Sequence, residues 1–139
     1  MPKPAVLAAC RQVLLDEEQT PSLIGVFAAI DVLPPAGVEI QHNAINPNPW
    51  VLCSMWLADE GDMNKRFTHK VKMTLPDGIE FGQASEEFTM VSRVHTITVR
   101  VPMLPVGVQG NLTVDAWVES DTKKVAENKY RISISHRMQ

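Results

Sequence analysis

Three histidines raise the first chemical question, because His69, His95 and His136 all fall on the apolar phase of alternating segments, where an imidazole needs a polar partner. If successive strands reverse direction, His69 and His95 lie at one end of the fold. His136 closes the last strand at the opposite end. The acidic turn Asp59-Glu60-Gly61-Asp62 leads into the end shared by His69 and His95. Asp59, His69 and His95 are therefore the candidate ligands for zinc or another divalent ion, and the candidate centre of a metal-dependent enzyme. No short zinc-type ligand spacing accompanies them. The plainer reading is that the histidines end strands and hydrogen-bond a turn.

A second cluster is basic: Lys65, Arg66, Lys70 and Lys72. Lys70 and Lys72 share the outward face of one strand and are candidate anion-binding residues, or else they shield a sheet edge, a common duty of lysine. The paired acids Asp16-Glu17-Glu18 and Glu86-Glu87 sit in turn-like contexts that suit solvated carboxylates. No catalytic residue is assigned, since the phosphate-cradling glycine patterns and the Gly-x-Ser-x-Gly elbow are missing. Neither Cys10 nor Cys53 lies in a Cys-x-x-Cys or protease-like context. No cofactor is expected.

The strand-like run Trp50 to Leu57 is apolar on both phases: Val51, Cys53, Met55 and Leu57 on one, Trp50, Leu52 and Trp56 on the other. Such a strand is either covered twice or presents an aromatic patch to a partner. Trp50, Leu52, Trp56 and the outward-phased Trp117 are thus the interface candidates, since a rigid indole buries much area at small entropic cost. The segment Pro34 to Pro49 is the alternative, intramolecular cover.

The elements that position these residues are strands. Period-two alternation runs through Leu112, Val114, Ala116 and Val118, through Tyr130, Ile132 and Ile134, through Val71, Met73 and Leu75, and through Ile97, Val99, Val101 and Met103. Pro76-Asp77-Gly78 and Asp121-Thr122-Lys123-Lys124 read as reversals. Ala5 to Leu15 and Leu23 to Val32 form a hairpin-like pair around Glu17-Glu18-Gln19-Thr20-Pro21. Pro34 to Pro49 reads as irregular or edge structure. About eight short strands with no helix for crossovers predict an all-β antiparallel β-sandwich, immunoglobulin-like or similar, as one domain spanning residues 1–139.

With 139 residues, 45% hydrophobic and 21% charged, the chain can bury one core. A formal charge of −3 and a pI near 5.8 argue against a nucleic-acid partner. No apolar run approaches membrane-spanning length, and Leu7-Ala8-Ala9-Cys10 follows too few apolar residues for a lipoprotein signal. A cytoplasmic protein with two reduced thiols is expected, so the Asn111-Leu112-Thr113 sequon goes unused.

Cys10, Leu15-Asp16-Glu17, the run Pro21 to Phe27, Ile30, Pro34-Pro35 and the turn Leu75-Pro76-Asp77-Gly78 together resemble an uncharacterised bacterial family of small stand-alone β-sandwich proteins. The resemblance covers about a quarter of the chain. It implies a sandwich fold and a bacterial origin, and it brings no catalytic residue. The combined expectation is a non-enzymatic protein-binding or assembly module of bacterial or mobile-element origin, acting through a self-associating or partner-binding surface. The alternatives are the metal-dependent enzyme and an anion- or carbohydrate-binding sandwich.

Overall fold

Each alternating segment becomes a strand in the computed structural model, which describes residues 1–18 and 20–137. In chain order the strands are β1 (Lys3–Cys10), β2 (Gln12–Leu15), β3 (Pro21–Ile24), β4 (Ala29–Val32), β5 (Ile45–Asn46), β6 (Trp50–Leu57), β7 (Arg66–Thr74), β8 (Glu80–Thr89), β9 (Val94–Val101), β10 (Leu104–Pro105), β11 (Gly110–Ser120) and β12 (Lys123–His136). Twelve strands among the described residues replace the eight expected. The surplus comes from the expected segments Ala5 to Leu15 and Leu23 to Val32 each dividing in two, as β1 with β2 and β3 with β4, and from the two-residue β5 and β10, too short to show a period in the sequence. The described residues contain no helix long and apolar enough to cross a membrane.

Five strands form one sheet in the order β4-β12-β11-β7-β8, and three form another in the order β1-β6-β9. Pairing is antiparallel except for β4, which runs parallel to β12. This corrects the purely antiparallel expectation: the larger sheet is mixed. The parallel contact arises because the chain crosses between sheets at residues 25–28. Phe27 N donates to Ala9 O at 3.0 Å, Ser133 N donates to Ala28 O at 2.8 Å, and the Tyr130 hydroxyl donates to the Phe27 carbonyl. The crossing segment thereby stitches β1 to β12 and curls the two sheets into a half-barrel.

The inward faces share one core. On β11, Leu112, Val114, Ala116 and Val118 are buried, as are Ile132 and Ile134 on β12 and Phe67, Val71 and Met73 on β7. Facing them from β6 are Trp50, Leu52 and Trp56. Each large side chain removed from water in this way contributes roughly 1.5–3 kcal/mol.

The outer phase of β6 is covered in part: Cys53 is buried, Val51 and Met55 are half-buried and Leu57 is exposed, and the β2–β3 hairpin supplies some of the cover. β2 packs on β6, and the hairpin tip at Glu17, Glu18 and Thr20 lies beside Val91, Ser92, Arg93 and Val94. Asp16 shapes the tip by accepting the backbone N–H groups of Glu18 and Thr20 at 2.8 and 2.9 Å. The turns at 76–78 and 121–122 form where expected. Asp121 and Thr122 adopt φ of 50° and 67°, and Ile79 N donates to Asp77 Oδ1 at 3.0 Å.

The proline-rich stretch holds only β5, which pairs with β10, and Val106 N donates to Ala44 O at 2.9 Å. Gly107 makes this close approach possible, because a Cβ there would sit 2.0 Å from the backbone oxygen of His42. Backbone cannot swing aside as a side chain does. Gly107→Ala is therefore expected to lower stability by about 2 kcal/mol in denaturant titration, with the 41–46 segment losing amide exchange protection.

Candidate functional site

The residues singled out for chemistry fall into three places: a closed network in the core, an acidic turn, and the outer face of the five-stranded sheet. The core network begins with Ser54, the one hydroxyl on the inward phase of β6. Trp56 Nε1 donates to Ser54 Oγ at 2.8 Å, and Ser54 Oγ lies 2.8 Å from His69 Nε2. The hydroxyl oxygen accepts from the indole and also bonds His69 Nε2, and the tautomer of the imidazole sets the direction of that second bond. The Trp56 and His69 rings also meet edge to face at 6.0 Å.

Burial first, and the nearby His95 second, push the His69 pKa down to about 4. His95 stands opposite Trp56 in the β6–β9 register and stacks on Phe88 at 4.2 Å. Its pKa is also lowered by burial, against an opposing pull from Glu86.

A serine hydroxyl on a neutral imidazole is the geometry of an activated nucleophile. Here Ser54 is 0% and His69 1% exposed, so no substrate reaches either, and the network satisfies polar atoms that the core would otherwise strand. The sequence signal for it was present, since Ser54 is the polar residue on the Trp50, Leu52 and Trp56 phase.

The expected metal set does not converge. His69 and His95 do come to the same end and flank Trp56. Asp59 instead turns outward, 3.9 Å from Lys3 Nζ, while Asp62 accepts the Asp59 N–H at 2.7 Å. No group of three or more His, Cys, Asp or Glu side chains that could hold a metal ion occurs among the described residues. His136 lies elsewhere, with its Nε2 donating to Val106 O at 2.7 Å.

The thiols are quiet as well. Cys10 pairs with Val51, two residues from Cys53, a diagonal of about 7–8 Å between Cα atoms that is too long for a disulfide. Both are free and buried; burial pushes Cys53 up to about 11, with a smaller push from Cys10, and raises Cys10 too.

Trp50, Leu52 and Trp56 are interior residues, exposed by 1%, 0% and 1%, so the aromatic patch expected on this strand is not a surface. The inner phase of β6 packs on the five-stranded sheet, and the outer phase is covered in part, with β2 packed on β6 and Leu57 left exposed. Trp50 is locked further by its Nε1–H, which donates to Met103 O at 2.9 Å.

Trp117 differs. It stands half-buried on the outer face of β11, where its register partners are Lys70 on β7 and Glu127 on β12. Its Nε1 donates to Glu119 Oε2 at 2.7 Å, and Lys124 Nζ sits 5.1 Å from its ring centre. The indole N–H, and after it Lys70, hold the Glu119 carboxyl below the usual carboxylate range. Shallow hollows of about 450 and 350 Å3 open on either side of the ring, one toward Gln83 and Ser85, the other toward Asp115 and Asn128.

The basic cluster lies on and beside this face, and two of its four members are already paired with acids. Lys70 pairs with Glu119 at 3.2 Å and Arg66 lies 3.9 Å from Glu87. Lys65 belongs to the preceding turn, and Lys72 lines the hollow beside Asp115. The edge-shielding reading also fails, because β7 lies between β11 and β8 and the edge strand is β8.

Comparison with protein-family models and with curated proteins returns no match. The reading of function therefore rests on the geometry of this chain.

Proposed function

We propose that the chain is a non-enzymatic assembly module, a single immunoglobulin-like β-sandwich domain that self-associates through the outer face of its five-stranded sheet. Trp117 is the observation that carries this reading. It is a large aromatic held in one orientation by Glu119 and Lys124, at the centre of a face whose other members are polar, which is the anatomy of an interface hot spot within a polar rim.

The charges favour a second copy as the occupant. Lys70, Lys72, Lys124 and Lys129 alternate with Asp115, Glu119 and Glu127, and Lys129 Nζ lies 3.5 Å from Asp115 while Lys124 Nζ lies 3.1 Å from Glu127. Such a nearly neutral, mixed face meets its own copy without net repulsion. The sealed Ser54–His69 network supports the non-enzymatic part of the reading. Two free, buried thiols support a reducing, cytoplasmic setting, and the sequence resemblance supports a bacterial or mobile-element origin.

The test is the mass in solution by light scattering across a dilution series. The wild-type chain is expected to dimerise, and Trp117→Glu to weaken association at least tenfold, about 1.4 kcal/mol or more. A wild-type monomer at every concentration, or a dimer indifferent to Trp117→Glu, overturns the proposal.

A further inference from the structure

A different surface carries a sharper chemical signature. On the outer face of the three-stranded sheet, β2 and β9 bound a groove of about 370 Å3 whose floor is Val51. Arg11 and Gln12 line one wall, Thr98 and Arg100 the other, and no acidic residue lines it. Among the described residues, arginine ion pairs are those of Arg66 and Arg137; Arg11 and Arg100 have none. Two arginines without an ion pair thus line one concavity on a protein with a net charge of −3.

The sheet register explains how they meet. Cys10, Val51 and Arg100 form one row across β1, β6 and β9, and Arg11 follows Cys10 directly. Two strand spacings separate the ends of that row, about 10 Å, which two arginine side chains can span to reach one ligand from opposite sides.

Arg11 is also held in place. Its guanidinium carbon lies 4.9 Å from the centre of the Phe27 ring, which itself packs edge to face on Trp50 at 5.8 Å. Its backbone N–H donates to Ile24 O at 2.9 Å. Gly25, with φ of 70°, lets the arginine stem pass: a Cβ there would fall 2.7 Å from Arg11 Cγ. A cation stacked on an aromatic ring and wedged against a glycine loses little freedom when it binds.

We infer that this groove is a binding site for a small organic dianion, a phosphate monoester or a dicarboxylate. Two forks of N–H donors match two negative charges, and guanidinium is the group suited to bidentate capture of both oxyanion types. The Thr98 hydroxyl and the Gln12 amide supply further donors. Val13, Val51 and Pro49 give the groove an apolar side, so an organic body adds affinity over the bare ion.

Calorimetric titration of the full chain at constant ionic strength tests the site, with phenyl phosphate, succinate and inorganic phosphate as probes. Saturable binding of phenyl phosphate or of succinate is expected, and which of the two binds identifies the class. Inorganic phosphate should bind more weakly than phenyl phosphate if the phosphate arm is the positive one. Arg11→Ala and Arg100→Ala should each weaken the positive probe about tenfold or more, whereas Arg131→Ala, which removes an exposed cation from β12, should change it less than about twofold. Arg11→Lys keeps the charge and loses the fork, so it should also weaken binding; its thermal unfolding without probe reports whether the fold is intact. Absence of saturable binding by both organic probes overturns the inference. So does binding that survives the Arg11→Ala/Arg100→Ala double substitution, or that falls as much in Arg131→Ala.

Discussion

Trp56→Ala is expected to remove about 4–6 kcal/mol of stability, a large share of the 5–15 kcal/mol typical of a folded domain. Two effects add. Truncating a fully buried indole leaves a cavity that surrounding strands only partly close, which costs about 3–5 kcal/mol. The same change removes the donor to Ser54 Oγ and the ring edge against His69, so the buried hydroxyl and imidazole lose part of their network, at about 1 kcal/mol more. Trp56→Phe separates the two, since it keeps most of the packing and deletes the N–H; a loss near 2 kcal/mol is expected. Urea unfolding followed by the remaining tryptophans measures both. A Trp56→Ala loss below about 1 kcal/mol would mean that the network and the packing around it are not as described.

Acidification should destabilise the fold between about pH 6.5 and pH 4, through His69. Its pKa is about 4 in the folded chain and near 6.5 when unfolded. In that window the unfolded chain binds the proton and the folded chain does not, so stability falls as pH falls and levels off once both states are protonated. The depression corresponds to roughly 3 kcal/mol over the whole window. His95, shifted in the same direction, adds to the slope. His69→Gln retains an acceptor for the Ser54 hydroxyl and cannot take up the proton. It should start less stable at pH 7.5 and show a clearly shallower decline down to pH 4.5, as read from urea midpoints. Parallel pH profiles for the two proteins would show that His69 is not the group that titrates.

Strand positions were legible in the sequence where one face was buried and the other wet. β7, β9, β11 and β12 are of this kind: their polar and apolar residues alternate because the sheet has two unlike sides. β6 was legible as a strand and misleading as a surface. Its double apolar phase has two explanations, a lid or a partner, and the lid is a hairpin that begins two residues after β1 ends. Sequence order gave no sign that this hairpin folds back over the sheet. The parallel placement of β4 was equally hidden, since it depends on hydrogen bonds between residues about a hundred positions apart.

Candidate sites fared according to how local their logic was. The shared end of His69 and His95 followed from strand direction alone. The partner of His69 was hidden because the acids of the neighbouring turn offer the more familiar ligands, although Ser54 is the polar residue on the facing strand. Lys70 looks free in the sequence because Glu119 lies 49 positions away, and Arg11 is inconspicuous because a single arginine after a strand is ordinary. Only the register brings Arg100 to the same groove.

The stitch at residues 25–28 also bears on how the chain reaches this shape. β4 and the crossing segment find their partners on β12, about a hundred positions later in the chain, and the Tyr130 hydroxyl closes a loop back to Phe27 across 103 positions. During synthesis β1 and the 25–28 segment must therefore wait, with the apolar sides that β12 covers still open, until β12 has been made. Closure of so long a loop places folding in the slow regime of β-rich topologies, roughly milliseconds to seconds, and makes the nascent chain most vulnerable to aggregation before β12 is released.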